Sequence, residues 1–123
     1  MSNLEIYKEN SIPLIKVNTN SETYDRFACT VFQGSKKTTL KKIKIISKGH
    51  TNITSYSIKI HDVTNNIMIS ELTLTNTLEE INEFVTLSNI PVDEAILEFY
   101  VKITTSGPIE DVYLFSIICY TWS

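Results

Sequence analysis

Apolar and polar positions alternate with a period of two along most of this chain, and no stretch sustains a 3.6-residue stripe. Leu40–Ser47 sets Ile43 and Ile45 against Lys42 and Lys44, and Ser55–His61 sets Tyr56, Ile58 and Ile60 against Ser57, Lys59 and His61. Ala95–Thr104 is the clearest case, with Leu97, Phe99, Val101 and Ile103 opposing Glu98, Tyr100 and Lys102. Each pattern predicts a strand with one dry and one wet face, because successive side chains of a strand point to opposite sides. Shorter runs predict further strands at Ile12–Val17, Phe27–Phe32, Ile67–Leu74, Ile81–Leu87 and Val112–Trp122. Within Ile67–Leu74 the apolar register changes from Ile67 and Ile69 to Leu72 and Leu74, which predicts a bulge near Ser70 or Glu71. Between the strands lie turn formers: Gly34-Ser35, Asp62-Val63-Thr64-Asn65-Asn66, Pro91 and Gly107-Pro108.

The last strand differs from the others in having two apolar registers. Tyr113, Phe115, Ile117 and Cys119 share one, and Leu114, Ile118, Tyr120 and Trp122 the other. A strand apolar on both sides belongs inside a sheet that is covered twice. Eight strands with this spacing fit an all-β, two-sheet sandwich of jelly-roll type, whose final strand lies beside the first and third. The rival is an immunoglobulin-like sandwich of seven strands plus an extra edge. Because a cysteine is the more frequent core residue, the parity is expected to turn Cys119 inward. Leu114, Ile118, Tyr120 and Trp122 would then form an outward interface of roughly 400–600 Å², at or above what a typical monomer exposes; the opposite parity, with Tyr113, Phe115 and Ile117 outward, would give a patch of similar size. Residues 1–11 read as an N-terminal arm or added edge strand, and 12–123 as the single sandwich domain. Either that arm or another subunit is expected to cover the outer face.

Composition adds bounds rather than chemistry. The 123 residues suffice for one domain with one core, and 42% hydrophobic with 20% charged residues is ordinary for a folded chain. The abundance of Ile, Asn, Lys and Tyr beside only two alanines is what an AT-rich genome produces. No positively charged leader precedes an apolar run, and no stretch has the length to span a bilayer, so neither secretion nor a membrane is expected. Cys29 and Cys119, far apart and each within an apolar run, read as reduced core thiols. Asn52-Ile53-Thr54 is a formal glycosylation sequon that needs a secretory route to matter.

Charge is distributed unevenly. From Lys36 to Lys59 there are seven lysines and no acid; from Asp62 to Asp111 there are ten acids and only Lys102. Lys36, Lys37, Lys41, Lys42 and Lys44 could meet a polyanion or the acidic side of a like subunit. The lack of arginine and of interleaved aromatics in that cluster argues against nucleic acid. The doublets Glu79-Glu80, Asp93-Glu94 and Glu110-Asp111 could hold Ca²⁺ only if their loops converge, and no EF-hand spacing supports them. His50 and His61 are the only histidines, with no CxxC or HExxH to complete a zinc site. There is no GxSxG elbow, and Gly34, Gly49 and Gly107 are too scattered for a phosphate loop. No enzyme and no cofactor are expected. A carbohydrate-binding module is the alternative, with Tyr24, His50, Asn52 and Tyr100 as the platform and hydrogen-bonding groups.

The run from Tyr56 through His61-Asp62-Val63-Thr64-Asn65-Asn66 to Ile69, followed by Ala95–Lys102, resembles small single-domain β-sandwich proteins of large DNA viruses and phages. The resemblance lies in the rhythm of strands and turn. It implies a virion component: a capsid, penton-like or decorating protein that works by assembly, as a homo-oligomer or with other particle subunits.

Overall fold

The computed structural model describes residues 8–33, 39–49, 53–75, 81–91, 94–105 and 111–122, excepting the side chains of 33, 39, 81–84 and 122. Nine strand segments and no helix occur among them. They are β1 (Lys8–Ser11), β2 (Asn18–Thr19), β3 (Asp25–Gln33), β4 (Thr39–Lys48) and β5 (Ile53–Asp62), then β6 (Ile67–Leu74), β7 (Ile81–Val85), β8 (Glu94–Thr105) and β9 (Val112–Trp122). Sheet A runs β1-β9-β4-β7, with β2 also pairing β9, and sheet B runs β3-β8-β5-β6. All pairings are antiparallel. Counting β1 and β2 as two pieces along one side of β9, this is the eight-position jelly-roll order. The chain crosses between sheets at nearly every connection, so most neighbours in sequence are not neighbours in a sheet.

The alternating patterns explain where the core sits. Leu40, Ile43, Ile45 and Ile117 of sheet A meet Ile58, Ile60, Leu97, Phe99, Val101 and Ile103 of sheet B, all buried. Burying one such side chain contributes about 1.5–3 kcal/mol. Phe27 and Phe99 meet edge to face with ring centroids 6.2 Å apart, a geometry that suits the aromatic quadrupole. A polar link crosses this apolar layer between described residues: the Ser47 hydroxyl on β4 and the Tyr56 phenol on β5 share a hydrogen bond of 2.8 Å.

The first expected strand is not one strand. Ile12–Val17 leaves the edge of β9 between β1 and β2 and crosses to sheet B, where Leu14 bridges Ala28. There the Ile15 and Lys16 amides both donate to the Phe27 carbonyl, at 2.8 and 3.2 Å. Pro13 has no N–H to give to a ladder, while Ile12 N–H still reaches the Ile117 carbonyl at 2.9 Å. The segment thus closes one lateral side of the sandwich. The other side is closed by Ser88, whose amide and hydroxyl both donate to the Ile69 carbonyl, at 2.8 and 3.1 Å.

The expected bulge in β6 is present one residue earlier. Ile60 pairs Ser70 and His61 pairs Met68, leaving Ile69 as the extra residue. The turn before it behaves as Asp and Asn permit. Asp62 accepts hydrogen bonds from the Asn65 amide at 3.0 Å and side chain at 2.7 Å, and Asn66 takes a left-handed φ of 53°.

Candidate interaction surface

The outer face of sheet A is centred on β9, which pairs β1 and β2 on one side and β4 on the other. Cys119 does point inward and is buried, as its chemistry suggested. The rest of the strand does not follow from that parity. Ile46 pairs Ser116 while Ser47 pairs Leu114, so Phe115 is an extra residue with no opposite number. One inserted residue reverses the facing of everything beyond it. Val112 and Leu114 therefore join Ile117, Cys119 and Thr121 inside, while Tyr113 and Phe115 join Ile118 and Tyr120 outside.

This corrects one expected interface residue. Leu114 is a core side chain, 2% exposed, whereas Tyr113 is 40% and Phe115 52% exposed. Ile118 and Tyr120 keep their outward facing and are half-buried. Trp122 ends β9, and its side chain lies outside the described residues. Ile46 of β4, half-buried beside Ser116, widens the apolar strip. Tyr113 and Phe115 belong to the register expected to face inward, and they face out while Ile117 stays in because the bulge, which leaves no mark in a long apolar strand's own sequence, reverses the parity between them.

Cross-strand partners share a face, which orders the surface into rows. Lys42, Tyr120 and Glu9 form one row, Lys44, Ile118 and Ser11 the next, and Lys48, Tyr113 and Asn18 a third. Lys42 and Lys48 are exposed and Lys44 half-buried. Long lysine stems can lie along apolar surface while the ammonium stays wet. On the opposite flank Asn18 donates from Nδ2 to Asp111 Oδ2 at 3.0 Å. The strip therefore has lysines on its β4 side, and Glu9 and the Asn18–Asp111 pair on its β1/β2 side. Lys41 is exposed at an irregularity in the pairing of β4; Lys36 and Lys37 lie outside the described residues.

Lys8–Ser11 adds to sheet A edge-on, as a strand beside β9, and does not lie across its outer face. Residues 1–7 lie outside the described residues.

The outer face of sheet B carries a denser polar network. Lys59 Nζ sits 4.5 Å from the Tyr24 ring centroid and 4.9 Å from that of Tyr100, and Lys102 Nζ sits 4.6 Å from the Tyr24 ring. The Tyr24 hydroxyl donates to Glu71 at 2.6 Å. Burial, helped by that carboxylate, pushes the Tyr24 phenol up to about 12. Tyr100 donates to Glu98 Oε1 at 2.8 Å, and Arg26 pairs with the other oxygen of the same carboxylate. The Arg26 bond holds the Glu98 carboxyl below its ordinary value. The fold thus brings Tyr24 and Tyr100 together, while His50 and Asn52 lie outside the described residues. A sugar stacking on either ring competes with ammonium groups already there.

The remaining chemistry is dispersed. Among the described residues no group of three or more His, Cys, Asp or Glu could hold a metal ion. Of the acidic doublets, Glu94 is exposed and Asp111 is bonded to Asn18; Glu79, Glu80, Asp93 and Glu110 lie outside the described residues. Cys29 and Cys119 are free thiols; Cys119 is buried as expected, whereas Cys29 on β3 is only half-buried and not a core residue, and burial pushes the Cys119 thiol up to about 12. Cys119 borders a cleft of about 420 Å³ between the edges of β1 and β3, lined also by Asn10, Ile12, Phe32 and Leu97. Its thiol is protonated at neutral pH and a poor nucleophile there. No helix of the described residues is long and apolar enough to cross a membrane.

No family model and no curated protein matches this chain.

Proposed function

We propose that this chain is a non-enzymatic assembly module, which binds copies of itself or partner subunits of a larger particle through the outer face of sheet A. The observation that carries this reading is the exposure of Tyr113 and Phe115 on an interior strand, in line with Ile118 and Tyr120. Covering roughly 300 Å² of apolar surface on Tyr113, Phe115, Ile118 and Tyr120 at about 25 cal/mol per Å² corresponds to a gross gain of about 7–8 kcal/mol, before the cost of association. A virion or capsid subunit is the form of assembly that the resemblance in strand rhythm implies. The fold alone does not choose a function, so the surface carries the proposal.

Light scattering on the full chain at tens of micromolar tests it. The expected mass is a multiple of 14.0 kDa. Phe115→Asp should reduce it to that of the single chain, while Val31→Asp, on the exposed edge of sheet B, should not. A monomeric wild type with no partner subunit, or an oligomer indifferent to Phe115→Asp, overturns the proposal.

A further inference from the structure

We propose that the partner on this surface is a second copy of the same chain, related by a two-fold axis lying in the interface along β9. The inference rests on the assembly reading above and adds the partner and the geometry. It comes from the asymmetry of the strip. With their strands aligned, two copies can close face to face about a two-fold along β9 or about one across it. An axis across the strands lays β4 on β4, setting Lys42, Lys44 and Lys48 against the same lysines of the other copy. An axis along β9 keeps each row in place and exchanges its flanks. Lys42 then faces Glu9 of the second copy in the row of Tyr120, and Lys48 faces the Asn18–Asp111 pair in the row of Tyr113.

The symmetry repeats each pairing twice, as an isologous interface requires. Tyr113, Phe115, Ile118 and Tyr120 lie near the axis and meet their own counterparts. Two twisted sheets stacked this way run within about 30° of each other, the aligned packing seen inside sandwiches. The available area suits a weak dimer. The three strand positions that overlap about this axis, β1/β2, β9 and β4, at about 4.8 Å spacing along the 11 residues of β9, offer roughly 450–500 Å² per copy. Both copies together bury about 900–1,000 Å², the size of a weak, concentration-dependent interface. Like charges on one pairing and opposite charges on the other select the axis, which is the role charge plays at interfaces.

Charge reversal on the full chain tests the axis directly. Sedimentation equilibrium is run on Glu9→Lys, on Lys42→Glu, on their equimolar mixture, and on the double variant, with thermal melts to confirm that each folds. Each single reversal sets like charges against each other twice and should weaken the dimer on the order of tenfold or more at low salt. The mixture should recover wild-type association, since one copy then carries lysine at both positions and the other glutamate at both. The double variant should recover it as a homodimer. Loss in the singles without recovery in the mixture overturns the two-fold along β9. An oligomer that ignores both reversals but is lost in Phe115→Asp also overturns it, and leaves the assembly reading standing. A wild type that stays monomeric at tens of micromolar overturns the second-copy partner, and a particle subunit would then have to be the partner for the assembly reading to survive.

Discussion

Truncating Leu114 and Phe115 separately measures the consequence of the bulge in β9. Leu114 is 2% exposed and pairs with Ser47 over the core. Replacing such a leucine by alanine loses the transfer energy of the removed carbons and leaves a cavity that collapses only in part, about 2–5 kcal/mol together. Unfolding entropy of about 2.1 cal/mol/K per residue gives roughly 0.26 kcal/mol/K for 123 residues. Leu114→Ala should therefore lower Tm by roughly 8–19 °C. Phe115, 52% exposed, loses only partial burial and some strand propensity on change to serine, about 0.5–1 kcal/mol or roughly 2–4 °C. Calorimetry in a dilution series separates the two further. The Leu114 effect is independent of concentration, whereas any Phe115 effect that comes from association grows with it. Uninterrupted alternation through β9 from an inward Cys119 predicts the reverse order, with Phe115→Ser severe and Leu114→Ala mild. That result would refute the bulge and the surface built on it.

Two further outcomes follow from named groups. The Ser47–Tyr56 bond across the core should give a coupling on the order of 1 kcal/mol in a double-mutant cycle of Ser47→Ala and Tyr56→Phe by urea unfolding; strict additivity would show that the bond contributes nothing. The Asp25 carboxyl is held below its ordinary value by Lys16 and that of Glu98 by Arg26. Because both values are depressed on folding, their stabilisation is present above the ordinary values of 3.8 and 4.5 and is lost as pH falls below them. Tm should decline on the acid side, less steeply in Glu98→Gln, and an unchanged slope would remove the Arg26–Glu98 pair as a cause.

Local alternation carried most of the architecture. Ile43 and Ile45, the Tyr56–Ile60 run and the Leu97–Ile103 run could bury only one face, so their strands and inward residues were legible from sequence. So was the interior position of β9, since a strand apolar in both registers is better shielded inside a sheet than at its edge. The turn at Asp62–Asn66 was legible because its side chains satisfy their own backbone.

What sequence could not decide is parity and pairing over distance. Phe115 is an extra residue only because Ile46 and Ser47 of β4 hold Ser116 and Leu114, and that arrangement exists only once strands far apart in sequence are paired. The same holds for Ile12–Val17, apolar enough to read as a strand, yet drawn across to Phe27 and Ala28 to close the sandwich. The sequence by itself therefore determined that β9 has two apolar faces within an eight-position sandwich. The tertiary structure decided which residues each face carries and set lysines on one flank, and Glu9 and the Asn18–Asp111 pair on the other. Side-chain alternation is a property of one strand, whereas register is a property of a pair.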